Sequence, residues 1–575
     1  MATAMIPSPP LVGTARRYLA LPALARTQGQ APTDSPPEPM LETAQIQGNS
    51  LVGFNKDHQA FLYFRITDAS VARRWLRTFA DQVATMEETL AFRRLFRAIR
   101  ARRQAESRGL KATWVNVAFT FEGLKKLVSN PAELDDFPGT AFRLGMPSRA
   151  GGLGDPVDAA GQPLNWAVGA QDSYPDLVLI VASDAAADLK SKIQRLKREI
   201  RELQGISPGR PNKRGLELIL EDIGEVLPEP LRGHEHFGFK DGVSQPGVRG
   251  LVGAGAADFL TPRQLSSQSP LALSHSAPGQ PLIWPGQFVL GPDYPLQNPL
   301  DVLQPGLRVP ADPAWIRNGS FVVIRRLQQD VAAFWKFMTK TAGQLSANGA
   351  APGITPDRLA AMLMGRWASG TSVVRSPEQD DPTIGQSHWE ANHFNFAEPA
   401  PRLTTITGDI VPEVIADRDA QRCPFAAHIR KVNPRDEESE LGGMAKTLTK
   451  RVLRRGIPYG PPIKDRLVDD GVDRGLMFVS YQSSIEDQFE FLSHDWANSP
   501  HDPHSFSDAT GEREAGQDPV IGQNGSGDRS RKVNVRLGDR FETLTLPREW
   551  VIPRGGGYFF SPSIHALREV LGGSP

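Results

Sequence analysis

Apolar residues in this chain come in short runs closed off by turn-forming residues, and that spacing constrains the fold more than any other feature. The runs are Ala60–Ile66, Thr113–Thr120 and Leu177–Ala182 in the first half, and Gly319–Ile324, Leu476–Tyr481 and Tyr558–Phe560 in the second. They are rich in β-branched and aromatic residues and read as buried strands. None approaches the roughly 18–20 apolar residues that a membrane-spanning helix needs. Between them, helical spacing fills the interval from about Val71 to Glu106, a basic stretch from about 185 to 204, and Gln328 to Met338. Phe334, Trp335 and Phe337 are expected to supply the buried face of the last of these. Strand, helix, strand, strand, helix, echoed in the second half, predicts an α+β fold of two ferredoxin-like halves, with antiparallel sheets and peripheral helices. The boundary falls near 225. This gives an N-terminal domain over 41–225 and a C-terminal domain over 226–575.

Residues 1–40 are rich in Ala, Pro, Thr and Ser and read as a disordered leader, unable to bury enough surface to order itself. Arg16-Arg17 near its start invites comparison with a twin-arginine export signal, but Pro22 interrupts the apolar stretch after four residues. A cytoplasmic protein is therefore the first expectation and export the alternative. The chain ends soon after Leu571-Gly572-Gly573, so no C-terminal docking extension is expected. Lys+Arg and Asp+Glu both number 65. That balance gives no electrostatic reason to expect nucleic acid or an anionic membrane as partner. A single cysteine, Cys423, excludes an intrachain disulfide and any site built on several thiolates. Long Pro/Gly-rich loops cover 243–313, 368–400 and 498–530. Loops of that length in a compact protein are usually functional or disordered.

Four stretches hold candidate chemistry. In His234-Glu235-His236-Phe237-Gly238-Phe239-Lys240-Asp241-Gly242, glycines bracket an aspartate, as where backbone turns sharply or nears a ligand. The plain reading is a turn with a capping Asp; the alternative makes His234 and His236 a non-haem metal pair. The second stretch runs from Cys423 to Arg435. It sets His428 after an apolar run, with Arg430, Lys431 and Arg435 following. A core histidine is one reading. A haem site is another, since it needs one neutral imidazole for iron, apolar surface for the macrocycle and cations for two propionates. Cys423 as a thiolate ligand is a third, although no glycine-framed loop surrounds it. Arg451 to Gly460 reads as a basic strand end entering a turn, and Asp518 to Gln523 as a turn before a strand.

Taken together, these stretches resemble the dye-decolorizing peroxidases. Gly238-Phe239-Lys240-Asp241-Gly242 looks like that family's GxxDG signature, Cys423–Arg435 its proximal-histidine segment, and Arg454–Gly460 its distal-arginine segment. Further similarity runs through Asn318–Phe321, Arg326–Val331, Tyr481–Glu486 and Gly555–Phe560, in family order, over about residues 45–570. The long form is similar to the larger subgroup, which includes the fungal enzymes and some bacterial relatives. The resemblance implies a dimeric α+β barrel type of fold and a haem b cofactor. It also implies hydrogen peroxide as oxidant and dyes, phenols and other small aromatic molecules as reductants. His428 would ligate the iron. Asp518 would hydrogen-bond its other ring nitrogen, with Glu486 the fallback. Arg430 and Arg435 would lie near the propionates, and Leu476 and Phe478 would line the distal pocket. Asp241 and Arg454 would be the catalytic pair.

The logic of that pair stands independently of the resemblance. Peroxide must lose a proton to bind iron and its departing oxygen must gain one, a task for Asp241 as base and then acid. Arg454, always protonated, stabilises the charge that develops as the O–O bond breaks. Dye oxidation is then expected to be fastest in acid. Bulky dyes would be oxidised through surface aromatics, with Tyr459 and Trp496 the candidates. A haem-binding or iron-releasing protein with incidental turnover is the chief alternative, since fold does not fix function. The chain is expected to be a monomer or homo-oligomer.

Overall fold

The structure, a computed structural model, describes residues 34–103, 109–202, 215–508, 511–525 and 529–573. Its frame is one nine-stranded antiparallel sheet. The first half supplies β1 (His58–Ile66), β2 (Thr113–Phe119), β3 (Leu177–Ser183) and β4 (Leu216–Glu225). The second supplies β5 (Ser320–Gln329), β6 (Leu453–Arg454), β7 (Ile457–Tyr459), β8 (Gly475–Gln482) and β9 (Val551–Ser561). The order is β6-β8-β5-β9-β2-β3-β1-β4, with β7 also paired to β8. The halves therefore repeat one pattern, β4-β1-β3-β2 and β9-β5-β8-β6, and both are ferredoxin-like. They join where Phe119 on β2 faces Phe560 on β9. The far ends curl towards each other until Gly224 on β4 lies against Ile457 and Pro458. Among the described residues no strand pairing closes the barrel there.

Local sequence accounts for these elements. All seven residues of β3 are buried, as a continuous apolar strand covered on both faces should be. The long helix expected over 71–106 is two helices, α1 (Ala69–Phe79) and α2 (Met86–Arg103). Asp68 caps the first by accepting from Ser70 N and Val71 N. Thr85 and Glu88 cap the second reciprocally, each side chain accepting from the other's backbone N–H. Two strong caps seventeen residues apart, at Asp68 and Thr85, explain why one amphipathic pattern breaks in two. α3 covers Ala186–Glu202, and α4, Val331–Ala347, starts later than the apolar pattern suggested because β5 runs on to Gln329. On α4, Phe334 and Trp335 are buried, while Phe337 is half-buried against Trp550. β6 falls where a basic strand end is expected, whereas β4 and β7 carry no such signal in the sequence; these are short or charged strands, in which the alternation is weakest.

The expected leader is not disordered throughout. Residues 1–33, with Arg16 and Arg17, lie outside the described residues. Glu38 is instead buried, accepting from Arg249 Nη1 at 3.1 Å and pairing with Arg263, and Leu251 N donates to Pro39 O. A carboxylate held by two guanidiniums fixes the end of that segment to the fold. Among the described residues no helix is long and apolar enough to cross a membrane.

Candidate active site

A cavity of about 340 Å³ opens between β8, the loop before β5 and the segment after α5 (Pro356–Met364). The 233–246 loop reaches it by turning on two glycines. Gly238 and Gly242 take φ of 97° and 70°, and neither has a neighbour that a Cβ would strike, so backbone conformation alone requires glycine there. The loop is anchored on α4, where Phe237 stacks on Phe334 at 4.5 Å and Trp335 Nε1 donates to Phe237 O. Inside it, the Glu235 carboxylate accepts from Phe237 N and Phe239 N, both at 2.9 Å, and from Gln329 Nε2. That clamp fixes the turn that presents Asp241.

Asp241 Oδ1 accepts from Arg454 Nη1 at 3.2 Å and from Gly242 N at 2.6 Å. Arg454 projects from β6, with Nη2 donating to Ser244 O. Gln245 and Arg454 exchange two further bonds, amide to backbone carbonyl and backbone N–H to amide oxygen, so loop and strand are pinned at the pair. The two side chains are 37% and 35% exposed, open enough for a small molecule to reach them.

His428 begins α6 (His428–Lys431), after the buried run Cys423–Ala427. Its Nδ1 meets Asp518 Oδ2 at 2.8 Å. Asp518 is fully buried, and its Oδ1 accepts from Val520 N and Ile521 N. Burial pushes that carboxyl up, but the His428 charge and hydrogen bond and the two amides outweigh it and hold it below the ordinary range. Facing that carboxylate, Nδ1 is the ring's donor, and in the neutral imidazole Nε2 is the free lone pair. Glu486, the fallback partner, instead accepts from Ala141 N.

Leu476 and Phe478 line the cavity from one face of β8, two residues apart as strand geometry requires. Arg435 lines it too, with φ of 57° and its Nη1 donating to Asn392 O and Phe394 O. Two lining arginines had no clear signal in the sequence, Arg366 and Arg451. Arg366 donates to Gly370 O, Ala391 O and Asn392 Oδ1, and Arg451 to Asn433 Oδ1. Among the described residues none of the three arginines forms an ion pair. Burial first, then the neighbouring guanidiniums, lowers Arg366 and Arg435 to about 9 and Arg451 to about 10. The cavity wall thus holds uncompensated positive charge beside apolar surface.

Several expectations are corrected. Arg430 is not at the cavity. It sits about 200° around α6 from His428, so it points into the protein, where it bonds Glu437, Asp417 and Cys423 O between the rings of Phe396 and Phe425. Tyr459 and Trp496 are not surface aromatics. Tyr459 is 5% exposed, under the Arg326 guanidinium and bonded to Asp473, and Trp496 is 1% exposed and bonded to Glu440. The Cys423 thiol is buried in an apolar cluster away from the cavity lining, and burial pushes its pKa up, so it is no thiolate ligand. His236 Nε2 is bonded to Tyr459 O, and among the described residues no three His, Cys, Asp or Glu side chains gather as a metal cluster.

Glu235 is a site residue that the sequence does not signal as functional. Burial, with Asp241's charge adding, pushes its carboxyl up to about 7 from an ordinary 4.5. A carboxyl raised on folding stabilises fully below about 4.5 and loses that contribution as pH rises through about 7. Glu235→Gln should therefore gain stability relative to the parent protein between these values, by on the order of 3 kcal/mol. Urea unfolding of both proteins at the two pH limits measures it, and a constant gap would refute the raised carboxyl.

Comparison with known proteins agrees with the fold. The family described as the DyP dimeric alpha+beta barrel domain matches residues 45–206, and the C-terminal part of Dyp-type peroxidases matches 380–513. Dye-decolorizing peroxidase msp1 of Mycetinis scorodonius is 31% identical, over 94% of this chain and 92% of that protein. Multifunctional dye peroxidase DyP2 of Amycolatopsis sp. is 26% identical, over 92% and 95%. Among solved structures, an ancestral D-type dye decolorizing peroxidase is 32% identical with a TM-score of 0.71, covering 92% of this chain and 99% of that one. A dye-decolorizing peroxidase solved with 2,6-dimethoxyphenol is 27% identical with a TM-score of 0.68, over 93% and 100%.

Proposed function

The chain belongs to the dye-decolorizing peroxidase family, and on that premise we propose that it binds haem b through His428 and handles hydrogen peroxide with Asp241 and Arg454. The cavity chemistry fits the cofactor. Nε2 of His428 is free to donate to iron because Nδ1 is committed to Asp518. Leu476, Phe478, Ile429 and Val432 offer apolar surface to a macrocycle. Arg366, Arg435 and Arg451 lack anionic partners among the described residues, and two propionates would supply them. The group, when bound, supplies the iron at which peroxide is reduced and the oxidising equivalents are stored.

The residues do the rest. Asp241 takes a proton from the near oxygen of peroxide at its carboxylate and returns it to the departing oxygen. The Arg454 guanidinium stays charged throughout and stabilises negative charge growing on that departing oxygen. The Gln245 bridge and the Glu235 clamp keep the pair in register, so little reorganisation is needed. Leu476 and Phe478 narrow the approach and keep bulk water out.

The observation that carries the reading is the 2.8 Å His428–Asp518 contact within a cavity that also holds the Asp241–Arg454 pair. Titration of the purified protein with hemin tests it. The parent protein is expected to bind hemin with a sharp Soret band, and His428→Ala to lose that spectrum. Unchanged hemin binding by His428→Ala would overturn the assignment.

A further inference from the structure

The Asp241–Arg454 pair has a second side. An outer cavity of about 670 Å³ shares Asp241, Gly242, Gln245, Pro246 and Arg454 with the inner one, so the two meet across the pair. It reaches solvent at Asn55, Arg232 and Gly233. Part of its wall is apolar, from Phe54, Val226 and Ile457.

Its charges do not balance. Arg232 pairs with Asp57 at 2.7 Å and Lys56 with Asp184 at 2.6 Å, and Asp241 is taken by Arg454. Two guanidiniums remain. Arg455 donates only to carbonyls, those of Asn49, Ser50, Leu51 and Arg454. Arg93, on α2, donates to Gly53 O at 2.9 Å. Among the described residues neither forms an ion pair. Burial is the main reason that both are lowered to about 10, with Arg97 repelling Arg93 and Arg93 repelling Arg455. Arg455 has most of its donors consumed, so it contributes field. Arg93 keeps donors for a ligand.

We propose that this outer cavity is a binding site for small phenols that carry a carboxylate or sulfonate, with Arg93 hydrogen-bonding the anionic group and Arg455 adding to the attraction. An apolar wall beside two unneutralised guanidiniums suits a flat ring with one anionic end. A neutral phenol gains only the wall, and a cationic one is repelled. The site sits against the Asp241–Arg454 pair, so a ring held there is a reductant at the mouth of the haem cavity. The stoichiometry closes with peroxide as oxidant. Two phenols each give up one electron and their O–H proton, and one peroxide takes up two electrons and two protons to leave two waters and two phenoxyl radicals. This inference rests on the peroxidase reading for the electron transfer but not for binding.

Two measurements on the haem-loaded enzyme test it, with 4-hydroxybenzenesulfonate and phenol as probes. Calorimetry without peroxide reads binding; kcat/KM with peroxide reads use. Arg93→Met is expected to weaken binding of the sulfonate about tenfold, as loss of a charge-assisted hydrogen bond should. Its kcat/KM should fall in step, with phenol unchanged. Added salt should reduce the sulfonate's advantage in the parent enzyme and have little effect in the variant. Arg93→Lys, which keeps charge and length, should restore part of the preference and guards against a folding defect in the methionine variant. Equal losses for both probes, or sulfonate binding that ignores Arg93, would overturn the proposal. If neither phenol is oxidised while the sulfonate still binds through Arg93, the site stands and the peroxidase reading falls.

Discussion

Asp241→Asn is expected to slow the reaction with hydrogen peroxide by about 10²–10⁴-fold, the range for removing a positioned acid–base group. The amide is nearly isosteric and can still accept from Arg454 Nη1 and Gly242 N, so the loop should keep its shape. It cannot take the peroxide proton. Hemin binding and the Soret band should therefore stay as in the parent enzyme, because the change touches neither His428 nor the arginines near it. Arg454→Leu should cost about 10²–10³-fold by removing the charge that stabilises the departing oxygen. Arg454→Lys should recover little, since the fork that bonds Asp241 and Ser244 O together is lost. The two losses should not add in the double variant, because the groups act on one event. Stopped-flow mixing of the haem-loaded proteins with peroxide measures each rate. A rate within threefold of the parent for Asp241→Asn would remove Asp241 from the mechanism.

Much of this site could be read from the sequence because its parts lie in compact local motifs. The GFKDG turn, the run into His428 and the strand carrying Arg454 each hold their functional residue within a few positions of a structural marker. Asp518 was harder, since it lies ninety residues after His428 behind a long loop, yet the two meet at 2.8 Å. What failed was direction. Arg430 stands two positions from His428 and was expected to share its environment, but two residues on a helix turn a side chain to the far side. Tyr459 and Trp496 lie near site segments in sequence, and nothing local says that their polar ends would be satisfied by Asp473 and Glu440 inside the protein. Arg366 and Arg451 show the reverse case. Their role depends on lacking carboxylate partners, and that is a property of the folded surroundings alone. The repeated ferredoxin-like order could be read from strand and helix spacing, whereas the sheet's continuity rests on the single Phe119–Phe560 pairing, which no local pattern encodes.

The second large effect lies behind the imidazole. Asp518→Ala should lower hemin affinity about 10–100-fold, the usual consequence of removing the partner that orients a ligating histidine. It should also destabilise the protein before any cofactor binds. Three donors would lose their acceptor in a fully buried place, the His428 ring N–H and the backbone N–H groups of Val520 and Ile521. Each buried donor left unsatisfied costs about 1–3 kcal/mol, so a combined loss on the order of 3 kcal/mol or more is expected even with partial relaxation. Asp518→Asn separates the two roles. Its amide oxygen can still accept from the two backbone groups, so unfolding by urea should sit close to the parent protein. Its NH₂ face cannot accept the ring proton. The imidazole then either turns or changes tautomer, and hemin affinity falls while stability stays. Stability and affinity falling together in Asp518→Asn would mean that the carboxylate's charge, rather than its acceptor geometry, holds this wall of the cavity. Neither falling would mean that His428 is oriented by something other than Asp518.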